Sequence, residues 1–264
     1  MVDFPGSVVS IATLRAVRLE SFAGILSERA LWMWPTIAFV TAFALLQLGG
    51  LDRVVAHWLA DGPGGGFPLR HFFWTQTVLH DGGRLIMQIL AGGLLLLWAA
   101  SHRAARLAPY RSTFAYTVLA VALSVLSVNI GKHISGLDCP WSVDEFGGDR
   151  PHFTLFDARP VDLAPGHCFP GGHSSAGFAL FALFFAVRRH RPGRARRALL
   201  APLVIGGVFA LTQWVRGAHF VSHDLTTAWL CWMIAWATDA WTLRRRLPGP
   251  AFSRGVARTP ARRR

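Results

Sequence analysis

Apolar residues in this chain gather into blocks instead of recurring on one face of a helix or on alternate strand positions. Six blocks stand out, at 31–51, 85–101, 112–131, 174–187, 198–215 and 225–243. A helix needs about 20 apolar residues to cross a hydrocarbon core. The blocks therefore predict an all-α, polytopic membrane protein with six transmembrane helices. The fourth block reaches full length only if 168–173 forms its start, and the sixth carries Asp239 near one end, where it can reach the interface. Between the first two blocks the pattern predicts a short helix from Leu51 to Leu59. A break at Gly62-Pro63-Gly64-Gly65-Gly66 follows, then an apolar interfacial stretch from Phe72 to His80. The connection 133–172 is rich in Pro, Gly, Asp and Phe, and reads as an irregular cap. No internal repeat stands out, so one membrane domain is expected over 31–243. It is flanked by a cytoplasmic amphipathic segment at 1–30 and a basic tail at 244–264.

Composition agrees with that reading. The 264 residues are 52% hydrophobic and 16% charged, too apolar for an ordinary soluble domain. The formal net charge of +13 invites a nucleic-acid reading, but the distribution opposes it. Twenty of the 27 Lys and Arg fall in 1–30, 102–111, 188–197 and 244–264, which are alternate connections. That is the positive-inside pattern, with both termini cytoplasmic and the intervening connections outside. No soluble element is left to carry a nucleic-acid-binding patch, and the basic tail is suited to anionic lipid headgroups. Residues 1–30 are interrupted by Arg15, Arg18, Glu20, Glu28 and Arg29, so the first block is expected to be an uncleaved anchor. Cys139 and Cys168 share one outer connection and are a candidate disulfide in an oxidising compartment. Cys231, inside the sixth block, reads as a small packing residue.

Crossing parity brings three polar clusters to one side: Lys132-His133, Pro170-Gly171-Gly172-His173 and Arg216-Gly217-Ala218-His219. In-line displacement at a phosphate ester needs cations for the non-bridging oxygens, a nucleophile, and an acid for the leaving alkoxide. Histidine can serve as nitrogen nucleophile or as acid. Gly171, Gly172 and Ser174 open a helix whose free amides could hold an anion, although a glycine-rich start with a capping serine explains them equally well. The run His80-Asp81-Gly82-Gly83-Arg84 reads either as a polar helix cap with a snorkelling arginine or as a source of one more positive charge. His and Asp are frequent, yet no spacing matches a recurring metal-ligand set, so no metal and no cofactor are expected.

These residues resemble the type 2 phosphatidic acid phosphatase superfamily, which also includes the vanadium haloperoxidases. The family carries Lys-x6-Arg-Pro, Pro-Ser-Gly-His and Ser-Arg-x5-His-x3-Asp on a six-helix membrane core in its lipid-phosphatase branch. Lys132 and Pro140 match the first motif, Pro170, Gly172 and His173 the second, and His219 the third. The resemblance implies that His219 forms a phosphohistidine and His173 protonates the leaving group. Lys132 with the amides of Gly171 and Gly172 would hold the phosphate, without a metal.

Cys139 and Gln213 stand where the first and third motifs have arginine, Gly171 replaces serine, and His223 occupies the position of the orienting aspartate. Arg216 is less than a turn beyond Gln213 and could reach the phosphate in its place. Asp224, one residue on, could orient His219 if the turn relaxes. A Cys139–Cys168 bridge would pin the first motif beside the second. The pattern is similar to a bacterial subgroup with Cys-Pro-Trp and a cysteine before the Phe-Pro-x-Gly-His run. The expectation is therefore a phosphatase of the bacterial inner membrane, acting on a lipid phosphate at the extracytoplasmic face. Its alternatives are a lipid phosphotransferase with the same intermediate and a catalytically silent lipid-binding protein. Nothing in the chain predicts its oligomeric state.

Overall fold

The computed structural model describes the backbone of residues 11–61 and 65–244, and the side chains of residues 28–61 and 65–242. Its described elements are helical, apart from one isolated bridge between Val143 and Arg150. Helix α1 runs Ile11–Gln47 without a break, so the division expected at residue 30 is no interruption of the backbone. Residues 1–10 and the tail from 245 onward lie outside the described residues. The short helix α2 is Leu51–Leu59, as the pattern predicts. A π-helical segment, Trp74–Gly82, continues directly into α3 (Gly83–Ala100). Helix α4 is Arg111–Ser135. The fourth block divides into α5 (Gly172–Phe178), a 3₁₀ turn (Ala179–Phe181) and α6 (Ala182–His190). Helices α7 (Leu200–Val215) and α8 (Val221–Arg244) complete the chain.

Four described helical stretches are long and apolar enough to cross a membrane: Glu28–Gln47, Trp74–Ala100, Ala108–Ser142 and Pro192–Val215. The fourth and sixth blocks are not among them, and their surroundings explain why. Helix α8 packs against α1, α4 and α5, and α5 against α7, so protein neighbours satisfy groups that lipid could not. Along α8 a buried row runs Thr227, Cys231, Ala235 and Asp239 at four-residue spacing, and α4 offers Ala120, Ser124 and Val128 in return. Small side chains at this spacing bring two helices close, the usual way of packing where there is no water to expel. Gly177 and Gly206 do the same where α5 meets α7: a methyl added at Gly177 would stand 2.4 Å from the Gly206 nitrogen. Helix α1 seals the other side of α8 with Phe39 stacked on Trp229 at 4.6 Å. The outward faces of α1, α3, α4 and α7 are apolar and exposed, as lipid contact requires.

The connection 136–171 is irregular and carries two single-turn 3₁₀ segments, Pro140–Ser142 and Asp144–Phe146. Cys139 and Cys168 are disulfide-bonded, with Cα atoms 5.2 Å apart, and bind its two ends together. A second small core of Ala56, Phe67, Val143, Phe146 and Phe220 joins α2, this connection and the turn before α8. Arg53 and His57 of α2 reach Glu145 at 2.8 and 2.5 Å. The Arg53 hydrogen bonds, followed by the one from His57, hold the Glu145 carboxyl below the usual range despite some burial.

Candidate active site

Helix α7 ends because Gly217 takes a left-handed conformation, φ 66°, which favours glycine. The amides of Gly217 and Ala218 then bond back to the carbonyls of Trp214 and Gln213. A side chain at 217 would also strike the Phe67 ring, since an added Cβ would lie 2.1 Å from it. This turn delivers His219, 7% exposed, to the start of α8.

His219 Nδ1 lies 3.0 and 3.2 Å from the two oxygens of Asp224, which can only accept, so it carries the proton of this pair. Of the two expected orienting residues, Asp224 therefore touches the imidazole. His223 turns into the core, where Phe169 and Phe220 pack edge-on against its ring. Asp224 also accepts from the Ser174 hydroxyl at 2.5 Å and from the Trp214 indole at 2.8 Å. Its carboxylate is thus fixed from three elements, and His219 Nε2 makes no hydrogen bond among the described residues.

Two expected phosphate ligands have other duties. The Ser174 hydroxyl is fully buried and directed at Asp224. The Gly171 amide donates to the His223 carbonyl at 3.0 Å. Asp224 occupies the space beside 171. A Cβ there would stand 2.0 Å from Asp224 Oδ1 and 2.9 Å from His219 Nδ1, so glycine at 171 makes room for the carboxylate. Gly172 gives similar room to the cation: its added Cβ would meet Lys132 Cε at 2.5 Å. The Lys132 ammonium donates to the His167 carbonyl at 2.9 Å, and an ammonium has three N–H donors, so others remain. Lys132 is also within electrostatic range of Asp224.

His173 follows Gly171 and Gly172, which lie against His219 and Lys132, so the three predicted motifs meet at one end of the helices. Its ring packs on Phe209 at 4.4 Å and hydrogen-bonds the backbone of Leu79, while Nε2 is buried without a partner. Arg216, proposed above as a replacement for the missing arginine, is 5% exposed and engaged otherwise. It donates to the Gln213 side chain at 2.9 Å, to the Arg70 carbonyl at 3.2 Å and to the Gln76 side chain. Arg84 is exposed. The sequence reading gave His80 little weight, yet its ring lies 4.5 Å from that of His173. The histidine beside an aspartate was visible; the π-helical turn that aims it was not. Among the described residues no cluster of His, Cys, Asp and Glu is arranged to hold a metal ion.

No curated protein and no solved structure matches the chain. A family model does, over residues 113–247, a span that begins two residues into α4 and takes in Lys132, His173, His219 and Asp224. It is described as the PAP2 superfamily, a match that supports phosphatase-type activity on phosphate esters. With just over half of its length matched and the motif histidines brought to one end of the helices, the chain belongs to the PAP2 superfamily.

Proposed function

We propose that this protein is a six-span membrane phosphatase that removes phosphate from a lipid phosphate or diphosphate at the extracytoplasmic face. The observation that carries the reading is the His219–Asp224 pair, 3.0 Å apart, with His219 Nε2 left free. Asp224 fixes the tautomer and stabilises the charge that the imidazole acquires on attack. His219 Nε2 bonds to phosphorus as the phosphorus–oxygen bond to the lipid breaks, and His173 gives its proton to the departing alkoxide. Water then attacks phosphorus, loses a proton to His173, and the nitrogen–phosphorus bond breaks to release phosphate. Lys132 and the first-turn amides of α5 at Gly172 and His173 neutralise the phosphoryl oxygens.

The charge asymmetry of the connections and the Cys139–Cys168 disulfide support an outward-facing site in an oxidising compartment. The apolar outer faces of the helices support a substrate drawn from the bilayer. The buried, hydrogen-bonded state of Arg216 favours a second reading, a silent lipid-binding relative, because neither motif arginine nor its replacement is free to grip phosphate.

One experiment separates the readings. Detergent-purified protein is given phosphatidic acid, a polyprenyl diphosphate, phosphatidylglycerol phosphate and a lipid A-like glycolipid phosphate in turn, and released phosphate is measured. The wild type should release phosphate from at least one, and His219→Ala should lose about 10³-fold or more. An active His219→Ala sinks the mechanism, and an inert wild type leaves the silent reading. A lipid alcohol added as acceptor shows whether transfer competes with hydrolysis.

A further inference from the structure

The part of His173 that does not face His219 is bordered by the π-helical segment Trp74–Gly82, which lies outside the family match. A π-helix widens the backbone ladder and turns side chains off the α-helical register, and such turns gather at functional sites. Here the result is a tilted contact of two imidazoles, His80 on His173, with centroids 4.5 Å apart and planes inclined at 35°.

Each ring has a distinct environment. His173 is enclosed by Phe209, bonded to the Leu79 backbone, and has a buried, unpartnered Nε2. His80 retains 26% side-chain exposure, and its Nδ1 lies 2.9 Å from Asp81 Oδ1, whose own side chain is 54% exposed. Asp81 Oδ2 accepts from the Gln76 amide at 3.1 Å, and the Gln76 carbonyl accepts from buried Arg216. The chain Arg216, Gln76, Asp81, His80 thus runs from the turn before His219 to the ring of His173. A plain helix cap has no need to place a carboxylate-anchored imidazole against the second motif histidine.

We propose that His80, anchored by Asp81, is a positioning residue for His173: packed against one face of that ring, it holds the imidazole so that its Nε2 is turned to the leaving alkoxide. The inference rests on the phosphatase reading above. In the first half-reaction the electron pair of the breaking phosphorus–oxygen bond stays on the lipid oxygen, which takes the His173 proton. In the second, the attacking water returns a proton to His173, so turnover conserves it. An apolar pocket does not keep an imidazole protonated while the site is empty. The negative charge of a bound phosphate favours the protonated form, and His80, packed on one face of the His173 ring, keeps its Nε2 directed at the leaving oxygen.

The test uses two substrates with the same alkyl tail. One is an alkyl phosphate, whose alkoxide needs a proton to leave. The other is a nitrophenyl phosphate bearing that tail on the ring, whose weakly basic phenolate does not. Wild type, His80→Ala, His80→Gln and Asp81→Asn are compared as full-length protein in detergent, with thermal melting as the check on folding. His80→Ala and His80→Gln should each lower kcat on the alkyl ester by about 10²-fold. The loss on the nitrophenyl ester should be at least tenfold smaller (a fraction of that same acid contribution), with KM little changed. Asp81→Asn should show the same preference more weakly. Equal losses on the two esters, or no loss on the alkyl ester, overturn the role given to His80 while leaving the phosphatase reading in place. A wild type inert on both esters, or a fully active His219→Ala, overturns both together.

Discussion

Helix α8 carries two fully buried aspartates, Asp224 in its first turn and Asp239 near its last, roughly 22 Å apart along the axis. Asp239 meets two permanent cations, Arg189 at 2.5 Å and Arg188 at 3.1 Å, and Arg188 also reaches Glu28 at 2.9 Å. Arg189 donates further to Thr242 and lies 4.5 Å from the Tyr116 ring. Asp224 instead meets a hydroxyl, an indole N–H and one imidazole. At Asp239 the charges cancel within the protein, and the cluster ties α6 to α8. At Asp224 only the imidazole can change its charge, so the carboxylate's negative field is directed at the one group able to take up a proton or a phosphoryl group. Two buried carboxylates on one helix are thereby suited to opposite purposes, and the partners that other helices bring decide which is which.

The comparison can be broken by exchanging charge for shape at each position. The largest effect is expected at Asp224. Asp224→Asn keeps the volume but removes the charge that supports a phosphorylated imidazole, and phosphate release should fall about a hundredfold or more, with the melting temperature little moved. Normal turnover in that variant would mean that the pair is structural. Asp239→Asn should do the reverse, leaving two partly buried guanidiniums without their carboxylate and costing about 3 kcal/mol. Activity per folded molecule should stay the same. Thermal unfolding of matched detergent samples reads the cost, and an unchanged melting temperature would remove the distinction between the two ends.

The smallest effect concerns the exposed pair that holds α2 to the connection 136–171. Glu145 sits below its ordinary carboxyl range, first because Arg53 donates two hydrogen bonds to it. A folded value below the unfolded one means that the contribution is complete at neutral pH and fades as pH drops through the acid range. Arg53 is half-exposed, so the pair contributes less than about 1 kcal/mol. Glu145→Gln should lower stability slightly at pH 7 and match the wild type in acid. A constant difference across that range would mean that the pair contributes through packing instead.

Local pattern carried a good share of this molecule. Blocks of apolar residues placed α3, α4, α7 and the apolar part of α1 within a few residues, and the break after Leu59 closed α2 where expected. The block at 174–187 was harder, because a 3₁₀ turn between Phe178 and Ala182 leaves no mark in hydropathy. Motif spacing brought Lys132, His173 and His219 together because helix ends are set by short local signals such as Gly217. It could not assign the Gly171 amide or the Ser174 hydroxyl. Both depend on which side of the turn a carboxylate five residues beyond His219 comes to lie.

The sequence by itself determined that the chain is helical, apolar on its outer faces and furnished with the motif residues of one superfamily, since these are properties of composition and short-range order. Tertiary packing alone decided that Asp224 and not His223 reaches His219, that Arg216 is held by Gln76 and Gln213, and that His80 packs against His173. Each of those contacts joins elements far apart in the chain or turns on one step of helical rotation. A hydrogen bond tolerates only a few tenths of an ångström and a limited angle, which no one-dimensional pattern encodes.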